Sequence, residues 1–153
     1  MAQGFNFAYN LYGGKPLIEV FFFKDTETLT KGDLVNLETG EVDLAVTTDT
    51  AIIGLVLGAE DPADATVGSP GVTAGTDSTT KIKIISSPDA VYEDKDDTSA
   101  RAAGATLDIS GATGAMALAT SSNTDVVVVG RKEQAGDPTR FKILDSLHPY
   151  ILG

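Results

Sequence analysis

Lys31-Gly32-Asp33-Leu34-Val35-Asn36-Leu37 is answered a short way downstream by Ala51-Ile52-Ile53-Gly54-Leu55-Val56-Leu57, and these two stretches decide the fold. The first opens on a Gly-Asp turn signal and mixes polar with apolar positions. The second is a nearly continuous apolar run broken by one glycine. Between them Glu38-Thr39-Gly40-Glu41 is a tight-hairpin signal, with glycine where a positive φ is wanted, and Val42 to Val46 is the return strand. Paired this way, the segments predict the wall of a small β-barrel. Gly54 within the apolar run predicts a bulge or the close approach of another backbone.

Outward from this wall the chain keeps reading as strand and turn. Pro16 to Phe23, PLIEVFFF, predicts a strand covered on both faces, because three consecutive phenylalanines follow β-branched residues. Residues 1 to 14 hold Phe5, Phe7, Tyr9 and Tyr12 among uncharged residues, and positions 5, 7 and 9 share one face of an extended segment. This arm packs either on its own barrel or on a neighbouring subunit.

Downstream, Thr79 to Ser86 alternates so that Lys81 and Lys83 face solvent while Ile82 and Ile84 face the core. Ala105 to Ile109, Ala115 to Ala119, Asp125 to Val129 and Arg140 to Leu144 are further strands. Glu60 to Gly75 reads as a surface loop with at most one short strand, Asp89 to Thr98 as a solvated acidic loop, and Thr98 to Gly104 as the one plausible helical turn. The expectation is an all-β fold, a small β-barrel or sandwich of about nine to ten short strands. It divides into an extended N-terminal arm, 1–15, and a single β domain, 16–153.

Composition narrows the function classes. The chain has 153 residues and no cysteine, so neither disulfides nor thiolate metal sites contribute. No stretch approaches about 20 apolar residues and no secretory signal pattern opens the sequence, so neither a membrane span nor Sec export is expected. The net charge of -11 is uneven: residues 32–125 carry four basic groups against sixteen acids. From Gly32 to Thr80 there are nine carboxylates and no Lys or Arg, which disfavours nucleic-acid phosphate and makes this part of the barrel a surface for solvent or a basic partner.

Chemistry-bearing constellations are sparse. The single histidine, His148, reads as a packing or hydrogen-bonding residue rather than a catalyst, and no Gly-x-Ser-x-Gly elbow occurs. Asp94, Asp96 and Asp97 lack the glycine and the distal glutamate of a calcium-binding EF-hand loop. Ser110 to Met116, SGATGAM, reads as a turn, not a phosphate-cradling loop. With no tryptophan platform for a sugar cleft, an enzyme is the weak hypothesis and no cofactor is expected.

The order TLTKGDLVNLETGEV, AIIGLVLGAED, a strand ending near AVYEDKD, then GATLDISGATGAMALATSSNTDVVVVGRKEQAGDPTRFKIL resembles the head decoration, or cement, proteins of tailed bacteriophages. The resemblance runs from about Thr28 onward and rests on turn and strand patterns. It implies a structural virion protein on the outer capsid surface, made in the host cytoplasm. Such a protein is commonly a homotrimer that clamps neighbouring major capsid proteins against the pressure of the packaged genome. On that reading the contacts fall on Phe5, Phe7, Tyr9 and Tyr12 and on the strand carrying Leu17, Ile18, Phe21 and Phe23, with His148, Tyr150 and Ile151 as a second set. The alternatives are another phage structural β module, from tail or head fibre, and a carbohydrate or cell-surface binding domain presenting aromatics in its loops.

Overall fold

The structure, a computed structural model, describes residues 4–23, 28–59, 71–73, 81–97, 99–120, 124–130 and 137–151. Within them the chain is all-β, without helix, and forms β1 (Asn6–Asn10), β2 (Ile18–Phe23), β3 (Thr28–Thr30), β4 (Leu34–Glu38), β5 (Glu41–Leu44), β6 (Ile52–Ala59) and β7 (Gly71–Thr73). There follow β8 (Lys81–Ile85), β9 (Ala90–Asp94), β10 (Thr106–Ser110), β11 (Ala117–Ala119), β12 (Val126–Val128) and β13 (Thr139–Ile143). These thirteen strands exceed the expected nine or ten because several are only three residues long and β1, β7 and β9 lie in segments read as arm or loop. Most of the stretch from Glu60 to Gly75, the polar run after Phe23, the turn at 121–123 and most of the connection after Gly130 lie outside the described residues.

Five strands close a barrel in the order β2-β5-β4-β6-β8. The stretches 31–37 and 51–57 form its wall: β4 pairs antiparallel with β6, Leu34 opposite Leu55 and Val35 opposite Gly54. The register shifts between Val35 and Asn36, so the ladder bulges beside Gly54. The β4–β5 hairpin turns through Thr39 (φ 48°) and Gly40 (φ 84°). Two consecutive positive φ values are the signature of a type I′ turn, whose twist matches the strands it joins. Closure is made by β2, antiparallel to β8 from Ile18↔Ile85 to Phe22↔Lys81 and parallel to β5 at Phe22↔Glu41 and Phe23↔Val42.

A six-stranded sheet, β1-β9-β13-β12-β10-β11, packs on the barrel, and β3 with β7 forms a separate two-stranded ribbon. Two apolar layers result. Val35, Val42, Ile53, Val56, Ile82 and Ile84 fill the barrel with Leu29, while Leu34, Ile52, Leu55 and Ile85 point outward against Phe5, Tyr92, Val126, Phe141 and Ile143 of the sheet. β6 contributes to both layers, which is why its sequence is continuously apolar. The wall that the charge pattern placed toward solvent is therefore interior, and that expectation is corrected.

Three more local expectations change. The acidic loop from Asp89 contains β9, whose Ala90, Val91 and Tyr92 are buried. The helical turn after Thr98 is absent from the described residues there, which form turns instead. The segment Asn6–Asn10 belongs to the sheet: β1 pairs with β9, and the preceding Phe5 is 2% exposed with its ring edge-on to Phe141 at 4.9 Å. The β1 register shifts between Phe7, opposite Tyr92, and Tyr9, opposite Val91. That extra residue rotates the strand, so Phe5 points inward and Tyr9 outward instead of sharing a face.

Candidate functional site

β2 was expected to be covered on both faces, and it is not. Ile18, Val20 and Phe22 are 50%, 44% and 43% exposed, in a row on the outside of the barrel. The alternate positions point the other way: Phe21 packs with the barrel core, and Glu19 accepts hydrogen bonds from Ser86 Oγ and Tyr150 Oη, each at 2.5 Å. Two hydroxyl donors satisfy that carboxylate, which leaves three apolar side chains to face water.

The neighbouring strand supplies the rim. Across the ladder Val20 lies opposite Lys83 and Phe22 opposite Lys81, and both lysines are exposed. Lys81 Nζ sits 5.5 Å from the centre of the Phe22 ring, a cation–π distance. Leu17, just before the strand, is exposed as well, its backbone N–H donating to Ser87 Oγ at 2.5 Å. The result is an apolar stripe edged by cations on a chain of net charge -11. A stripe of this kind suits a complementary surface that is apolar at its centre and acidic at its rim.

The other candidate contact residues sort by exposure. Tyr9, Tyr12, Tyr150 and Ile151 are exposed, and Arg140 stacks near the Tyr9 ring at 5.8 Å. Phe7 and Phe21 are partly buried against the two cores, and the Phe23 side chain lies outside the described residues. Phe5 and His148 are corrected: both are buried within the protomer and present no surface to a partner. His148 Nδ1 accepts from Tyr150 N–H at 3.2 Å. Burial pushes the imidazole pKa down from 6.5, with backbone groups of Ile53 and Ser86 opposing the shift. Val20 and Phe22 lie within the strand expected to carry contacts but were not among the residues singled out in it.

Four of the acids counted as surface charge are interior: Asp33, Asp94, Asp108 and Asp125. All four act on the β10–β11 hairpin or its strand partners. Asp33 accepts from Thr30 N, Thr113 Oγ1 and Gly114 N, so the SGATGAM turn is a docking turn seated on a barrel carboxylate. Asp94 accepts from Asp96 N and Leu118 N, and Asp125 from Ile109 N and Thr47 Oγ1. Asp108 accepts from Thr124 N at 2.9 Å and from Thr47 Oγ1 at 3.3 Å. Burial raises the pKa of Asp33, Asp94 and Asp125, their hydrogen bonds opposing it.

The acidic run does not converge. Asp94 is turned inward, and Asp97 is held by Arg101, Nε to Oδ2 at 3.1 Å. No three His, Asp or Glu side chains gather into a metal-holding group among the described residues. Comparison of the chain with protein-family models and with curated proteins finds no match to either.

Proposed function

We propose that this chain is a structural protein of the tailed-phage virion that lays the outer face of β2 on the outer surface of the capsid. The observation that carries the reading is the exposed row Ile18, Val20 and Phe22 beside Lys81 and Lys83. An apolar centre with a charged rim is the anatomy of a protein interface, and the barrel behind it is a rigid mount. The resemblance to phage decoration proteins supplies the partner, the major capsid protein. Self-association into a homotrimer would let each copy hold its neighbours, so that weak contacts add by multivalency.

Co-sedimentation with expanded shells lacking this protein tests it. The full chain is expected to pellet with the shells, and Val20→Arg, which places a charge at the centre of the stripe without touching a core residue, is expected to bind at least about tenfold more weakly, equivalent to about 1.4 kcal/mol. Equal occupancy by the variant would remove β2 from the interface. Light scattering tests the ring, with a mass of three times 15.8 kDa expected.

A further inference from the structure

The turn that joins β1 to β2 presents a second surface, separate from the β2 stripe. Leu11 N–H donates to the Asp89 carbonyl at 2.8 Å, and Tyr12 N–H donates to Asp89 Oδ2 at 3.1 Å. These two bonds fasten the turn to the β8–β9 connection. The Tyr12 backbone is thus fixed while the residue is 86% exposed, the most exposed large apolar residue among the described residues. An aromatic ring held out on a pinned backbone is prepared for a ligand, because little further ordering is needed when one binds.

The ring borders a cavity of about 430 Å³, walled by Pro88 and Ile151 and edged by Asp89, Lys142 and Asp145. That volume lies within the range of small-molecule sites, about 300–1,000 Å³. Its polar groups are few and of a particular kind. Lys142 Nζ pairs with Asp145 Oδ1, which places an ammonium donor and a carboxylate acceptor side by side. Such a pair offers one donor and one acceptor to adjacent hydroxyl groups, and the remaining carboxylate of the lining, Asp89, repels an anionic ligand while offering hydroxyls a further acceptor.

We propose that this cavity binds a neutral hexopyranose of a surface glycan, its C–H face laid on the Tyr12 ring and two adjacent hydroxyls on Lys142 and Asp145. A pyranose is the ligand class that offers both an apolar face and a rim of alternating donors and acceptors, and the cavity supplies the complement of each. The Asp89 carboxylate adds an acceptor on the turn side. Nothing in this site uses Ile18, Val20 or Phe22, so it stands or falls independently of the β2 reading.

The test is an amide-resolved NMR titration of the full chain with the methyl glycosides of glucose, galactose and mannose, and separately with arginine amide. At least one glycoside is expected to give saturable shifts at Leu11, Tyr12, Asp89 and Ile151, with millimolar affinity. Tyr12→Phe is expected to keep that binding, and Tyr12→Ala to weaken it at least about tenfold. Shifts with arginine amide alone would overturn the proposal in favour of a cationic partner drawn to Asp89 and Asp145. The absence of saturable shifts with every glycoside, or binding that Tyr12→Ala leaves unchanged, would overturn it outright.

Discussion

Gly54 has a carbonyl where a side chain would go. A β-carbon built there would lie 1.8 Å from the oxygen of Ile85, so β6 and β8 approach each other in a way only glycine permits. Backbone cannot move aside as the tip of a flexible side chain can, and Gly54→Ala is therefore expected to lose more than about 4 kcal/mol, in the range that marks structural disruption. Urea unfolding of the variant beside the parent chain measures this, and a loss below about 1 kcal/mol would show that the barrel yields at that seam. Glu19 shows a different residue-scale choice. A carboxylate between apolar neighbours reads as the solvent-facing member of the strand, yet here Ser86 and Tyr150 hold it and the apolar residues on either side face out.

At the scale of elements, β1 is an edge strand that caps β9, and the core residue of this segment is Phe5, just ahead of it. Phe5 fills the space beside Phe141, and its replacement by alanine is expected to cost about 3–5 kcal/mol through lost burial and the cavity left behind. Deleting 1–10 would also uncover the β9 edge of the sheet. Thermal unfolding of Phe5→Ala checks the first expectation, and hydrogen exchange at β9 after the deletion checks the second. Unchanged protection of Val91 and Tyr92 would return the segment to the status of a detachable arm.

The β8 alternation and the β4–β5 hairpin were legible because a two-residue period and a glycine turn are local signals that burial did not overrule. The pairing of the barrel wall was legible because β4 and β6 lie close in sequence. Residue by residue β9 reads as a loop because of its acidic end, Glu93 and Asp94, although Asp94 turns inward to Leu118; only the resemblance to phage decoration proteins placed a strand there. The arm was misread because a bulge changes which side chains share a face, and no residue between Phe7 and Tyr9 advertises it. The exposed stripe was illegible for a related reason. In LIEVFFF every position but one is apolar, so nothing local says which alternate set faces the barrel interior, and the hydroxyls that decide it come from residues 67 and 131 positions away.

For the whole molecule, buried ionisable groups set the response to pH. Asp33, Asp94 and Asp125 bind a proton more tightly in the fold than in the unfolded chain, since burial raises their pKa. Their contribution to stability is therefore fully present below the unfolded carboxylate pKa and is lost as pH rises through the raised folded values. His148 acts oppositely. Its folded pKa is lowered, so stability falls as pH drops below the unfolded value of 6.5. Acidification also relieves the repulsion within a chain of net charge -11. With the histidine removed by His148→Gln, the melting temperature is expected to be higher at about pH 5 than at about pH 8, and the unsubstituted chain to show a smaller rise. A variant that melts lower at the acidic end would show that the carboxylates gain more from their hydrogen bonds than they lose by burial.

The position of β13 in the six-stranded sheet bears on how the chain is made. Its neighbours are β9 and β12, and β1 lies on the far side of β9. During synthesis the first strand and the ninth are both outside the ribosome while the gap between β9 and β12 is still empty, and only residues 139–143 fill it. Until then two strand edges face each other unpaired, a template on which another nascent chain can settle. The barrel, whose last strand is complete at Ile85, can close much earlier. Vectorial synthesis thus separates the two halves in time, and a pause in translation before residue 139 falls where misassembly has its widest opening.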